Sequence, residues 1–94
     1  VVEELLSPTL TGQLALVVTT FAPGSGTGRG GRLRKGEEAG MLLSGELELH
    51  VDRKRHLLKA GDSYSLRQKG RHRFVNAGDR PAVLLCALTP PSSY

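Results

Sequence analysis

The sequence predicts an all-β domain, an antiparallel sandwich or barrel, and two features indicate it. Twelve glycines and five prolines punctuate the 94 residues, so no stretch carries the uninterrupted apolar repeat of a long helix. Between these breaks lie short runs that are either apolar throughout or alternate between apolar and polar residues. Short strands at regular spacing, with no helix between them, favour a sandwich or barrel of antiparallel strands.

The first part of the chain is predicted to lead into this β structure. Residues 1–12 form a lead-in segment, and its weak helix signal ends at Ser7-Pro8. The first strand is predicted over residues 14–21, because this run is apolar and rich in β-branched residues. Residues 24–31 are predicted to form a flexible, glycine-rich loop.

The strand signal is clearest over residues 46–51. Leu47, Leu49 and Val51 alternate there with polar residues, which is typical of a strand with one buried face. Residues 82–88 are apolar at every position, which predicts a strand covered on both faces. Further strands are predicted over residues 37–43, 56–58, 63–66 and 72–76, with polar turns at 52–55 and 60–62.

The chain is short enough to form one domain, with the barrel over residues 13–90 and a tail over 91–94. Cys86 is the one cysteine and stands in an apolar run, so it is predicted to be a buried small side chain. A lone cysteine fits a reducing compartment, the cytoplasm. No apolar run approaches the roughly 20 residues that a membrane-spanning helix needs, so no membrane partner is predicted.

Positive charge is concentrated in two segments. Residues 29–35 and 67–73 each hold four basic residues and no acidic one. The simplest interpretation is two solvated loops, and the alternative is contact with nucleic acid. No aromatic residue interleaves with the basic ones except Phe74, which argues against a stacking platform for single-stranded nucleic acid.

The order of residues from 31 to 76 resembles the two conserved motifs of the cupin superfamily. It contains GRLRKGEEAGMLLSGELELHV, then LLKAGDSY, then GRHRFVN. The first cupin motif carries H-x-H, a Glu about four residues on and then a Gly; the second carries a His and, four residues later, an Asn. Glu38, Gly45, His72 and Asn76 stand in register with these positions. The resemblance implies a jelly-roll barrel, a double-stranded β-helix.

Arg32 and Arg34 occupy the H-x-H positions, where the family has two metal-binding imidazoles. A guanidinium stays protonated and has no lone pair to give a metal, so neither a metal nor another cofactor is predicted. Three arrangements stay open. Arg34 pairs with Glu38 inside the barrel while Arg32 reaches solvent at the mouth; one arginine clamps a carboxylate or phosphate; or both arginines lie outside.

The second basic segment belongs to the second motif, where Arg67 and Lys69 stand at the family's usual Pro and Gly positions. If both motifs line one opening of the barrel, the two basic segments form a ring of positive charge around it, which would attract anions. His50 and His56 are predicted to be surface residues. The predicted effector-binding residues are Arg32, Arg34, Glu38, Met41, Tyr64, His72, Phe74 and Asn76.

The segments GEEAGMLLSGELEL and HRFVNAGDRPA resemble one branch more narrowly, the sensor domain that follows a helix-turn-helix in bacterial transcription regulators. The resemblance implies a domain that binds a small anionic or polar effector and forms a homodimer. DNA would be bound only through the preceding helix-turn-helix, a pattern that these 94 residues do not contain.

The alternative is a stand-alone cupin enzyme, either a metal-dependent dioxygenase or a metal-free isomerase. Glu38 and His72 are the residues that acid–base chemistry would use. No Ser–His–Asp arrangement is indicated, and a buried Cys86 is a poor nucleophile. Catalytic residues are therefore not assigned, and a sensor is favoured over an enzyme.

Overall fold

The computed structural model describes residues 1–27, 36–67 and 71–90, together with the backbone of Arg32 and Leu33. In these ranges the chain forms strands, joined by turns and irregular segments, and contains no helix. No described helix is long and apolar enough to cross a membrane. The strands are β1 (Val2–Leu5), β2 (Ala15–Phe21), β3 (Arg32–Leu33), β4 (Glu37–Ser44), β5 (Glu46–Val51), β6 (Lys54–Lys59), β7 (Ser63–Arg67), β8 (Arg71–Val75) and β9 (Ala82–Thr89).

The strands form two antiparallel sheets that close into a jelly-roll barrel, so the prediction of the fold is confirmed. One sheet has the order β1-β2-β9-β4-β7 and the other β3-β8-β5-β6. The inner faces of the two sheets pack against each other. The main core cluster contains Phe21, Leu42, Leu47, Leu49, Leu58, Phe74, Ala82 and Leu84.

The alternation predicted for residues 46–51 is confirmed at its start, since Leu47 and Leu49 are buried in β5 while Val51 is half-buried. The prediction for residues 82–88 is wrong. Buried and half-buried residues alternate along β9, because the described residues place no second layer over the outer side of its sheet. Every second residue of this apolar strand is therefore only half-buried.

The beginning of the chain also differs from the prediction. Val2–Leu5 is a strand rather than a helix, and it pairs with β2 in the register Val2↔Thr20 to Leu5↔Val17. The hydrogen bonds of this pairing override a weak local helix signal, as tertiary context often does. The sheet thus begins inside the segment predicted to be a lead-in.

Part of the predicted flexible loop is held against β8. The backbone N–H of Thr27 donates to the carbonyl oxygen of Phe74, and the backbone N–H of Asn76 donates to the carbonyl oxygen of Ser25. The side chain of Thr27 also accepts the N–H of Phe74, at 3.0 Å. Residues 24–27 are therefore fixed to the barrel, and residues 28–31 lie outside the described part of the chain.

A glycine is required where β4 turns into β5. Gly45 has a φ of +80°, and a Cβ there would lie 2.4 Å from the carbonyl oxygen of Pro81. A residue with a side chain would be strained by the backbone and would clash at the same time. This explains the glycine of the first motif as a residue that the turn itself requires.

Candidate functional site

The candidate site begins with a buried carboxylate on β4. Residues alternate along this strand, so that Glu38 and Leu42 face the interior while Ala39, Met41 and Leu43 face outward. The side chain of Glu38 is only 3% exposed although the strand begins one residue earlier. A buried carboxylate requires hydrogen bonds or opposite charge around it, so its neighbours define the chemistry of the site.

Tyr64 reaches Glu38 from the neighbouring strand β7. Tyr64 stands directly opposite Gly40 in the β4–β7 register. A Cβ at Gly40 would lie 2.7 Å from Cε1 of Tyr64 and 2.4 Å from the carbonyl oxygen of Leu85. The absence of a side chain at Gly40 therefore leaves the space through which the tyrosine ring crosses β4.

The hydroxyl of Tyr64 donates a hydrogen bond of 2.5 Å from Oη to Oε2 of Glu38. Burial, and next the Glu38 carboxylate, raise the pKa of Tyr64 well above its usual value near 10. Both causes disfavour a second negative charge beside Glu38. Tyr64 therefore acts as a neutral hydrogen-bond donor at physiological pH.

His72 completes a cluster of three polar side chains from three strands. It lies on β8 with 5% of its surface exposed, and its Nε2 is 3.6 Å from Oε1 of Glu38. The two groups form an ion pair when the imidazole is protonated. Phe74 packs edge-on against both His72 and Tyr64, with ring centroids 5.8 Å and 5.4 Å away. This packing holds the two rings on either side of the carboxylate.

Glu38 and His72 line a small cavity inside the barrel. Its volume is about 30 Å³, which is room for one or two water molecules. Other residues that line it are Glu3, Val17, Thr19, Phe21, Thr27, Phe74, Leu84, Cys86 and Leu88. Polar and apolar side chains are therefore mixed in the wall of this small cavity.

The residues of the cluster do not fit the metal site of the cupin family. Within the described part of the chain, no group of three or more His, Cys, Asp or Glu side chains could hold a metal ion. Glu38 and His72 supply two donors, whereas protein sites for transition metals usually supply three or four. At the two remaining motif positions the sequence has arginine, which is not a metal ligand.

The backbone of Arg32 pairs directly with His72 at the start of β8. The side chain of Arg32 and the whole of Arg34 lie outside the described residues. The three arrangements of the arginines therefore remain predictions.

Three predicted effector-binding residues that the structure describes do not line the cavity, and of these Tyr64 alone contacts it indirectly, through Glu38. Asn76 is fully buried, and its amide donates to the carbonyl oxygens of Phe21 and Arg80 while its Oδ1 accepts the N–H of Gly78. These bonds satisfy the side chain and hold the turn after β8. Met41 faces outward and is 38% exposed, because side chains alternate along β4 and Met41 therefore lies on the opposite face of the strand from Glu38.

Arg73, one of the four basic residues of the second segment, does not join the predicted ring of positive charge. Arg73 stands opposite His50 in the β5–β8 register, on the side of the sheet away from the buried Leu49 and Phe74. His50 is half-buried there and its ring bonds Glu48 at 2.9 Å. Arg73 therefore belongs to the outer face of the four-stranded sheet and contributes nothing to the cavity.

Sequence reasoning missed four cavity residues whose side chains carry a polar group or a thiol: Glu3, Thr19, Thr27 and Cys86. Cys86 was correctly predicted to be buried, but its side of β9 could not be assigned in a run that is apolar throughout. Glu3 lies on β1, opposite Thr19 of β2. A correct prediction of β1 as a strand would have indicated this pairing, because residues opposite each other in a ladder share a face.

Comparison with known proteins agrees with this architecture. The family model "Cupin_2: Cupin domain" matches residues 17–88. A Cupin_2 conserved barrel domain protein from Salinispora arenicola has a TM-score of 0.80 at 26% identity, covering 93% of this chain and 73% of that one. The Cupin_2 domain of an XRE family transcriptional regulator from Enterobacter cloacae has a TM-score of 0.81 at 21% identity, with 94% of each chain covered.

The chain is also 35% identical over 78 residues to the HTH-type transcriptional regulator PuuR of Escherichia coli. The match covers 82% of this chain but 41% of PuuR, so it spans less than half of the regulator. A cupin described as a sugar phosphate isomerase, from Silicibacter pomeroyi, has a TM-score of 0.69 at 28% identity, covering 83% of this chain and 51% of that one. The fold and the match over residues 17–88 together show that this chain belongs to the Cupin_2 family of cupin domains.

Proposed function

We propose that the chain is the effector-sensing and dimerising domain of a helix-turn-helix transcription regulator, and that it binds a small polar or anionic effector at the Glu38–Tyr64–His72 cluster. The observation that carries the proposal is this buried polar cluster, placed in a domain similar to that of PuuR. Burial of polar side chains lowers stability unless they are paired, so a cluster of three in the interior favours a binding role.

The volume of the cavity restricts the effector. About 30 Å³ accommodates one or two water molecules, so a larger molecule must displace side chains as it enters. His72 and the hydroxyl of Tyr64 are groups that could turn towards a carboxylate or phosphate. A preference for anions over neutral ligands rests on Arg32 and Arg34, as inferred from the sequence.

Glu3 offers a route from the cavity to the amino-terminal part of the chain. It lines the cavity from β1, an edge strand that pairs with β2 alone among the described strands. The family resemblance places a DNA-binding part before the cupin domain. If β1 can take two positions and the effector binds more tightly with one of them, binding shifts the population towards that position. The part of the protein that precedes β1 would then move with the strand.

A thermal-shift screen tests the binding. The chain is melted with carboxylates, amino acids, polyamines and sugar phosphates, and a ligand at ten times its dissociation constant should add about 1.4 kcal/mol of stability. For a domain of this size we expect a rise in Tm of roughly 5–10 °C. No stabilising compound in any class would contradict the proposal.

Three variants locate a hit from this screen. His72→Gln should remove the response if the effector binds inside the barrel, and Arg34→Ala should remove it selectively for anions. Arg55→Ala is the matched control, because Arg55 is exposed on the far side of the four-stranded sheet. The sequence of the gene before the codon for Val1 tests the regulator context directly, by the presence of a helix-turn-helix.

The enzyme alternative has one observation in its favour. Tyr64, Glu38 and His72 form a chain of groups able to hold and move a proton, and the chain resembles a cupin described as a sugar phosphate isomerase. An enzyme of this kind would convert a sugar phosphate and lose activity in His72→Gln. A sensor would bind such a compound unchanged.

A further inference from the structure

The outer side of the four-stranded sheet is positively charged at one end, beside the turn between β5 and β6. We call this region the basic end and define it by Arg53, Arg71 and Arg73. Arg53 stands in the two-residue turn itself, and the pairing of His72 with Val51 brings the start of β8 next to that turn. Along β8 the exposed Arg71 and the half-buried Arg73 alternate with buried residues, so both arginines face away from the core.

The three guanidiniums of the basic end have no acidic partner in the part of the chain that the structure describes. Glu48 faces outward on the same sheet, but the His50 ring bonds it at 2.9 Å and Nη1 of Arg55 lies 3.8 Å from it. Nε of Arg73 is buried and has no hydrogen-bond partner. Since each guanidinium carries five N–H donors, the basic end holds donors that the fold itself does not use.

The backbone at Arg53 indicates that its side chain has a use outside the fold. Arg53 has a φ of +65° and Asp52 before it a φ of +50°. Two-residue hairpin turns with two positive φ angles favour Asn-Gly or Asp-Gly, because glycine takes the second position without strain. Arginine there costs about 1 kcal/mol relative to glycine. A residue that lowers stability at an exposed turn favours a functional role for its side chain.

The composition of the basic end indicates the kind of partner. Its three positive charges face one acid in the turn, Asp52, so the region stays positive and matches a polyanion. Single-stranded nucleic acid would need exposed aromatic rings for stacking, whereas Phe21, Tyr64 and Phe74 pack in or against the core. A duplex needs no stacking platform, because it presents its phosphates on the outside.

A protein partner fits this region less well. Protein–protein interfaces usually have an apolar centre. The apolar residues nearest on this side of the sheet, Leu57 and Val75, pair with Glu48 in the row beyond His50 and so lie outside the basic end. Guanidiniums alone are instead suited to phosphate, which they bind through paired N–H groups.

The dimensions of the basic end suit a duplex. Outward residues on one strand are about 6.8 Å apart and neighbouring strands about 4.8 Å apart, so the three arginines span roughly 10 Å. That length of duplex carries roughly six phosphates. Each arginine can therefore reach a phosphate of its own.

We propose that the basic end contacts the phosphate backbone of duplex DNA without reading its sequence. The inference rests on the proposed function, because the DNA-binding part before the cupin domain would hold this face close to the operator. Tethering of this kind makes a weak contact effective. The resemblance to known regulators implied DNA binding through the helix-turn-helix alone, and the basic end adds a second contact. His72 faces the opposite side of β8, so DNA and effector do not compete.

Fluorescence anisotropy of a labelled 20-base-pair duplex of arbitrary sequence, titrated with the 94-residue chain, tests the contact. We expect a dissociation constant on the order of 10 µM at 50 mM salt. The logarithm of the binding constant should fall with the logarithm of the salt concentration with a slope of about −3, since three phosphates are neutralised. A duplex of unrelated sequence should bind equally well.

Two variants on β8 locate the contact. Arg71→Gln and Arg73→Gln should each weaken binding roughly two- to fivefold and make the salt slope less steep by about 0.9. The matched control is Arg80→Gln, which removes the same charge from an exposed residue at the other end of β5, beside Gly45 and Glu46. Binding by the control should be unchanged within twofold.

Arg53→Gly separates loss of charge from loss of fold. Glycine relieves the positive φ, so this variant should melt at the same temperature as the wild type or higher and still bind DNA less tightly. Equal losses in Arg80→Gln and the three variants would overturn the proposal. So would a wild-type chain that leaves the duplex unbound at several hundred micromolar and 50 mM salt, or one that binds anionic lipid vesicles or single strands more tightly than the duplex. Effector-induced thermal shifts on the same variants test the interior site separately, because they should persist when the DNA contact is lost.

Discussion

Tyr64 crosses the strand β4 over Gly40, and this pairing places a phenol hydroxyl on a buried carboxylate. The two residues are directly opposite in the ladder, and a Cβ at Gly40 would meet the tyrosine ring at 2.7 Å. Because the ring occupies that space, its hydroxyl reaches Glu38 two residues earlier on the same strand. Gly40 has no functional group of its own, but the space it leaves allows the Tyr64 hydroxyl to form a hydrogen bond with the Glu38 carboxylate.

Gly40→Ala should destabilise the fold. The added methyl group would lie 2.4 Å from the carbonyl oxygen of Leu85, which is backbone and cannot rotate away. Overpacking of this kind costs about 1–3 kcal/mol, and urea denaturation measures it. Gly12→Ala is the control, since no heavy atom lies within 4 Å of its new Cβ. Equal stability of the two variants would show that Tyr64 is not confined as described.

Tyr64→Phe keeps the edge contact with Phe74 but removes the donor to Glu38. Loss of a hydrogen bond to a buried charged group should lower the free energy of unfolding by about 1–3 kcal/mol at pH 7. Urea denaturation of the two proteins at equal ionic strength gives the difference. If the Phe variant is as stable as the wild type, other groups must stabilise Oε2 of Glu38 as well as the Tyr64 hydroxyl does.

The raised pKa of Tyr64 predicts how stability depends on alkaline pH. A tyrosine in the unfolded chain ionises near pH 10, whereas the buried Tyr64 keeps its proton in the folded state. The stabilisation is complete below pH 10 and falls above it by about 1.4 kcal/mol per pH unit. Tyr64→Phe removes this contribution, so the difference between the two proteins should shrink between pH 10 and pH 11. A difference that stays constant over that range would contradict the raised pKa.

Asn76→Ala should cost about 2–3 kcal/mol, because it removes three hydrogen bonds to buried or partly buried backbone groups. Thermal denaturation measures the loss. Ser25→Ala is the control, since it removes one exposed bond to the carbonyl oxygen of Ala22. The effector response should be unchanged in the Asn76 variant at a temperature where it is folded. A response lost there would return Asn76 to the binding site.

Much of the fold followed from local pattern. The alternation in residues 46–51 and the turn glycine Gly45 report directly on backbone geometry, and both occur where the sequence indicates them. Strand β1 was missed because its identity depends on pairing with β2, which lies some fifteen residues further along the chain. The two faces of β9 were indistinguishable for a related reason, since a fully apolar strand carries no period of two.

The candidate site was predictable in part. Glu38 and His72 are brought together in the interior, as the motif spacing implies. Met41 and Asn76, which were also predicted to bind the effector, do not line the cavity, since one faces outward and the other is used in a turn. The role of Gly40 could not be read from the sequence, because it depends on which residue of β7 stands opposite.

The most direct test of the account is a titration of the ¹⁵N-labelled chain, followed by amide chemical shifts, with the strongest stabilising compound from the screen. If the effector binds inside the barrel, the largest shifts should fall on Glu38, Tyr64 and His72, and His72→Gln should abolish them. A second, larger cleft of about 450 Å³ lies at Glu46, Asn76 and Arg80. Shifts confined to that cleft or to the outer side of the five-stranded sheet, with the Glu38 amide unmoved at saturation, would contradict the account.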